Sequence, residues 1–328
     1  MSAIIYCCVA RGVQMHRIRV HLVFGLLAAA TLAQQKPPGS APASSRTIND
    51  TNIYRTAGPS SRGPVPAPVR VVASDMNDAS PHVSFDGTKI VFSSTRSGAW
   101  EVWRCDKDGG GVRQLTFSGD TPTGSTRWSP DGRRIAFDGQ KTGHYDLFVM
   151  KEDGSELKQL SGAPFSEIKP SWSMDGKWIY FASNRTGAFQ VWKLPADGGE
   201  AVPVTKHGGL TAFESFDGEY VYYVKGREDA SLWRVPTAGG AETHVLDGVE
   251  IGQFILTRQG VCILNMKAKP DPVIEFFDFR KARRETLDIL PKNGKIYGGG
   301  TAIAAPPDGT WLLFCQTDAV REIPAPNP

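Results

Sequence analysis

Arg127-Trp-Ser-Pro-Asp-Gly-Arg-Arg-Ile-Ala-Phe137 is a short turn signal followed by an apolar run, and it does not occur once. Phe85-Asp86-Gly87 precedes Lys89–Phe92, Met174-Asp175-Gly176 precedes Trp178–Phe181, Phe216-Asp217-Gly218 precedes Tyr220–Tyr223, and Pro307-Asp308-Gly309 precedes Trp311–Phe314. The turn aspartates are spaced by 45, 44 and 42 residues, and the last gap is two periods. A worn copy, Arg258-Gln259-Gly260 before Val261–Leu264, stands midway, making six units. Asp-Gly between β-rich runs is a hairpin signal, because glycine accepts positive φ.

A second series keeps the phase. Val102-Trp103, Leu147-Phe148, Val191-Trp192 and Leu232-Trp233 each precede a Gly-containing turn and a further strand-like stretch. Four strands in about 40–45 residues is the period of a propeller blade, and repeated aromatics supply the filling between stacked sheets. The expected fold is all-β: a six-bladed propeller of four-stranded antiparallel blades over 69–323, with a Pro-rich tail at 324–328. The last unit offers strands at 301–305, 311–316 and, weakly, 319–323, so it lacks a fourth. Val69–Ala73 supplies that strand and closes the ring by pairing with the last blade, which removes exposed edges.

Residues 1–33 read as an export signal: Arg17 and Arg19, the apolar run Val20–Leu32, then Thr31-Leu32-Ala33 for cleavage, with Met15 as an alternative start. Removing them takes three of the 37 basic residues and none of the 34 acidic ones, leaving a neutral chain without a nucleic-acid footprint. No apolar run is long enough to span a membrane. Residues 34–68, rich in Pro, Ser and Ala, read as a flexible tether. Outside the signal, Cys105, Cys262 and Cys315 are too few and too far apart for a disulfide framework or a zinc site and read as small buried residues.

The stretch Arg127–Phe137 and Lys169-Pro-Ser-Trp-Ser-Met-Asp-Gly-Lys-Trp-Ile-Tyr-Phe-Ala-Ser-Asn-Arg-Thr-Gly187 resemble the TolB-type propeller repeat, the PD-type relative of WD repeats. The resemblance covers about 69–323 and is strong in units one to four, weak in the fifth and partial in the sixth. It implies a six-bladed propeller, commonly periplasmic, acting as a protein-binding platform. On this reading no counterpart is expected for the α/β domain that precedes the propeller in TolB, the tether standing in its place, nor for the winged-helix, kinase or hydrolase domains that accompany similar propellers.

Function is expected on the face that carries the loops between second and third strands and between blades. A basic residue recurs there ten positions past each turn aspartate: Arg96, Lys141, Arg185 and Arg227. Together they would form an arc for an anionic patch on a partner. The competing reading is that each bonds its own or the next blade. Asp78, His82, Arg127, Glu167, Lys169, Phe213 and Glu250 stand before or within first strands, where residue type varies between units, and are candidates for the channel rim. The turn aspartates are turn-formers rather than ligands or catalysts. No nucleophile elbow or His-Glu-x-x-His motif occurs. The expected protein is a periplasmic or secreted, monomeric, non-catalytic platform for an envelope protein, with no cofactor, a calcium ion in the channel being left open. The alternatives are a propeller enzyme or small-molecule binder acting on a carbohydrate, lactone or peptide in the channel, and a truncated paralogue of a larger sensor.

Overall fold

The computed structural model describes residues 45–63, 66–119, 123–140, 143–162, 164–290, 295–296 and 300–324. The expected signal at 1–33, Lys141 and the tail beyond 324 lie outside them. Six antiparallel sheets follow one another around the ring. Blade 1 is Asp78–Val83, Lys89–Ser94, Glu101–Asp106 and Arg113–Gln114. Blade 2 is Arg127–Trp128, Arg134–Gln140, Tyr145–Lys151 and Lys158–Gln159. Blade 3 is Glu167–Trp172, Trp178–Thr186, Ala188–Pro195 and Val202–Pro203. Blade 4 is Leu210–Glu214, Tyr220–Val224, Ser231–Pro236 and Thr243–Asp247. The worn fifth unit still makes Phe254–Leu256, Gly260–Asn265, Val273–Asp278 and Arg283–Ile289. No described residue is helical.

The Asp-Gly turns explain why the period is so legible. In blade 1 Ser84 Oγ donates to Asp86 Oδ1 (2.5 Å), and the same oxygen accepts from Thr88 N (3.0 Å). Gly87 stands at φ 70° and donates its N–H to Ser84 O (2.8 Å). The Ser–Asp pair repeats at Ser129–Asp131, Ser173–Asp175 and Ser215–Asp217. Hydrogen bonds from Ser84 and Ser215 hold the Asp86 and Asp217 carboxyls below their usual range. Each aspartate therefore shapes a turn. Six residues further on, Phe92, Phe181, Tyr223 and Phe314 are completely buried, each contributing about 1.5–3 kcal/mol by leaving water. Cys105, Cys262 and Cys315 are free and buried, which raises their thiols above the ordinary range.

Closure is more extensive than the sequence indicates. Trp311–Pro324 is a single 14-residue strand, so 319–323 continues it and is not a third strand. The third strand of blade 6 is Ser45–Ala57, inside the stretch expected to be a tether, and it pairs with Trp311–Pro324 along its length. Val69–Val72 then adds the fourth strand, as expected. Ile303–Ala304 and the short Lys295–Ile296 pair with the other edge of Trp311–Pro324. The propeller therefore begins near residue 45 and not at 69.

The tether expectation fails over 45–57 because this strand is bound largely by polar groups. The Thr51 and Thr317 hydroxyls are 2.9 Å apart, Asn52 Nδ2 donates to Asp318 Oδ2 (2.9 Å), and Tyr54 Oη donates to the same carboxylate (2.7 Å). Among the residues of this strand whose side chains are described, Ile53, fully buried, and Tyr54, stacked on Phe314 at 5.6 Å, bring the large apolar surface. Ile53→Ala is expected to lower unfolding free energy by about 2–4 kcal/mol, read by urea denaturation, because it opens a cavity in the closing blade. An unchanged midpoint would mean that the strand does not hold the ring.

Candidate functional site

Two blades carry the same device at the loop face, and a third has a surface ion pair in its place. In blade 1, Arg96 Nη2 donates to Asp78 Oδ1 (2.8 Å) and Nε to Ser94 Oγ (3.1 Å), while the guanidinium lies 5.2 Å from the Trp103 ring. Blade 3 repeats it: Arg185 pairs with Glu167, donates Nε to Ser183 Oγ (3.3 Å) and sits 4.6 Å from the Trp192 ring. In blade 5, Lys267 pairs with Glu250 (2.5 Å). In blades 1 and 3 the acid at the start of the first strand thus clasps the basic residue after the second strand of its own blade. Asp78 and Glu167 are fully buried, so both carboxylates depend on these cations.

Blade 4 breaks the device in two places. Gly209 stands where blades 1 and 3 have Asp78 and Glu167, and Lys225 stands where they have Ser94 and Ser183. The Lys225 ammonium is 3.6 Å from the Trp233 ring centroid, the seat that arginine takes elsewhere. Arg227 has neither acid nor aromatic platform and is exposed. It lines the mouth of the axial channel with Asp138, Lys169, Tyr145, Trp100 and Gly300, a cleft of about 400 Å³.

Backbone irregularity shapes this mouth. Register shifts interrupt the first strands of blades 1, 3 and 4 between Ala79 and His82, Ile168 and Ser171, and Leu210 and Ala212. Inside them Ser80, Lys169 and Thr211 hold φ of 53°, 57° and 49°. Each is an unfavourable conformation for a non-glycine residue, on the order of 1–3 kcal/mol, that the surrounding sheet must impose. At the Lys169 bulge the backbone N–H donates to Asp138 Oδ2 (2.6 Å) and the ammonium to Gly300 O (3.0 Å). Asp138 Oδ1 also accepts from Ser125 N (2.9 Å).

Arg127 forms the floor. Its Nη1 donates to Thr126 O (2.7 Å) and its Nη2 to Thr301 Oγ1 (2.8 Å), while its guanidinium packs 5.2 Å from the Phe213 ring. His82 Nδ1 accepts from Trp128 N (3.0 Å). Burial, reinforced by Arg127, pushes His82 well below its ordinary range and keeps it neutral. Below lies an apolar end, where Phe85 and Phe216 approach to 6.1 Å beside Met174 and Trp172. Burial lowers Arg127 to about 10 and Lys169 to about 8, with Asp138 opposing the shift in Lys169 and Arg127 and Arg227 adding to it. Burial also raises the Asp138 carboxyl, against its two amide hydrogen bonds and the nearby cations. Among the described residues no three or more His, Cys, Asp or Glu side chains converge as metal ligands.

Residues 121–250 match the family model of the TolB beta propeller domain, PD40. The chain is a six-bladed β-propeller, and its segment 121–250 is similar to the TolB beta propeller domain. Its fold is similar to TolB from Acinetobacter baumannii, with a TM-score of 0.56 and 16% identity over 83% of this chain and 65% of that one. It thus spans less than two thirds of that relative. It is also similar to a chain of a nidogen/laminin complex (TM-score 0.58, 10% identity, 82% and 99% covered). A third similar structure is an oligogalacturonate lyase in complex with manganese (0.53, 15%, 82% and 79%). No curated protein sequence matches the chain. An enzyme therefore shares this propeller fold, and the fold alone does not decide between binding and catalysis.

The three described loop cations, Arg96, Arg185 and Arg227, do not act as one set. Arg96 and Arg185 are held by their own blades, and Arg227 alone of the described three is open to a ligand. Of the rim positions, Asp78, Glu167 and Glu250 serve as clasp acids, while His82, Arg127 and Phe213 surround the channel floor and Lys169 the mouth. Asp138 was not among the sequence candidates. It occupies a position that holds Ser93, Ala182, Val224 and Cys315 in other units, so an acid in that small or apolar series was a readable signal.

Arg96→Ala and Arg185→Ala should each destabilise the fold by about 3 kcal/mol, since each leaves a buried carboxylate unpaired. Arg227→Ala should leave the thermal midpoint unchanged, and equal losses in all three would contradict the clasp assignment. Lys169 has a second signature. Its folded pKa lies below the ordinary lysine value of 10.5, so above about pH 8 the unfolded chain holds more protons and stability rises with pH. Lys169→Met should therefore be more stable than wild type below pH 8, with the advantage shrinking towards pH 10 in denaturant titrations.

Proposed function

We propose that this chain is an exported, non-catalytic binding platform that engages an envelope or periplasmic protein through the loop face. The observation that carries the reading is the asymmetry of the channel. The loop-face end is a preformed polar cleft with an uncommitted arginine, and the opposite end is filled by Phe85, Phe216 and Met174. Loops mounted on stacked sheets lose little freedom on association, which favours binding. Export is supported by the charged and apolar N-terminal segment and by the similarity to TolB.

A propeller enzyme has one observation in its favour: an amine of lowered basicity in a cleft. Its neighbours weaken that reading. Asp138 accepts two backbone N–H groups, His82 accepts a third, and Arg127 is tied to Thr126 and Thr301. General acid–base chemistry needs a second group within reach of the substrate, and these are engaged with the scaffold.

Site-specific photocrosslinking tests the proposal. A photoreactive residue at exposed Ser97 or Glu228, on the loop face, should yield a discrete crosslinked protein in envelope-containing cells. The same residue at exposed Arg133 or Glu219, beside the Asp-Gly turns, should not. Crosslinks confined to the turn face would overturn the assignment.

A further inference from the structure

Rotation about the propeller axis makes the blades comparable position by position, and blade 4 can be set against blades 1 and 3. The loop cations of blades 1, 3 and 5 are neutralised within their blades. Two substitutions in blade 4, glycine for the acid at position 209 and lysine for the serine at position 225, leave the Arg227 guanidinium unpaired among the described residues. The bulge at Lys169 brings a second cation to the same cleft. Asp138 is the carboxylate among the residues lining it, and both its oxygens accept backbone N–H groups. Among the described residues the lining thus carries two cations against one anion, with Arg127 beneath.

We propose that the mouth is a recognition site for a single carboxylate, held by the Arg227 guanidinium and the Lys169 ammonium. The inference rests on the loop face being the docking face and names the group that the face receives. Guanidinium presents paired donors that match the two oxygens of a carboxylate, and the ammonium adds a point charge beside them. The net charge of the lining, one positive, favours a monoanion over a phosphate dianion. Trp100 and Ile168 supply apolar wall on which the atoms carrying the carboxylate can rest. In a protein partner the group would be an acidic side chain or a chain terminus. In a free ligand it would be a small organic acid. The cleft volume admits either.

The test uses the full chain at pH 7, with calorimetry and side-chain NMR of Lys169 and Arg227. The probes are N-acetyl-Ala-Ala with a free carboxylate, the same dipeptide as its C-terminal amide, propionate and inorganic phosphate. The expected result is saturable binding of a carboxylate probe, no binding of the amide, and at least tenfold weaker binding of phosphate. Tighter binding of the dipeptide than of propionate would assign the carboxylate to a polypeptide, and the reverse order to a free acid. Arg227→Gln should weaken binding at least tenfold, as should Lys169→Met, while Arg113→Gln, an exposed cation outside the cleft, should not change it. Equal binding of acid and amide, equal binding of phosphate, or full retention by Arg227→Gln would overturn the proposal. Loop-face crosslinking that persists without any carboxylate binding would sink this inference and leave the binding platform standing.

Discussion

The molecule depends on the pairing of Ser45–Ala57 with Trp311–Pro324. A propeller blade cannot bury both faces of its sheet alone, so its stability comes from neighbours on each side. An open ring would leave two blades half-covered and their strand edges free. Here the last blade takes its first two strands from the C-terminal end and its last two from the N-terminal end. Contacts such as Thr51 with Thr317 close a loop of more than 260 residues. Every other feature inherits its position from this seam, including the register that brings Gly300 and Thr301 against Lys169 and Arg127 across the axis.

Closure also accounts for the strain at the mouth. Three first strands hold non-glycine residues at positive φ, which an isolated hairpin would relax by slipping register. In the closed ring the bulged residues are braced: Ser80 O accepts from Thr126 of the next blade, and Lys169 from the third blade reaches Gly300 of the sixth. Rigidity of this kind lets a lysine with a lowered pKa, a buried carboxylate and an exposed arginine coexist within one small cleft.

The fold was legible because its turn chemistry is nearly invariant. The Asp-Gly phase and the aromatics behind it specify blade number, strand order and filling from short-range rules. The closing strand was not legible, because Thr51 and Asn52 are buried through hydrogen bonds and the stretch reads as polar and Pro-flanked. At the site, sequence reasoning found the loop cations and several channel residues but could not tell which were committed. That depends on a residue 18 positions upstream, Asp78 for Arg96 and Glu167 for Arg185 against Gly209 for Arg227. The bulges have no sequence signature, since Ser80, Lys169 and Thr211 are not residues that positive φ favours. The mouth they form therefore emerges only in three dimensions.

The seam can be trapped covalently. Thr51 and Thr317 are direct partners across the two strands, so Thr51→Cys with Thr317→Cys places two thiols to bond between chain ends. Mild oxidation of the folded double variant should produce an intramolecular disulfide in nearly every molecule. By closing so long a loop in the unfolded chain it should add on the order of 2–4 kcal/mol of stability over the reduced form. Persistence of the two introduced thiols as free thiols in a folded, monomeric protein, beside the native Cys105, Cys262 and Cys315, would mean that the two ends do not share a blade, and the account of the mouth would fall with the seam.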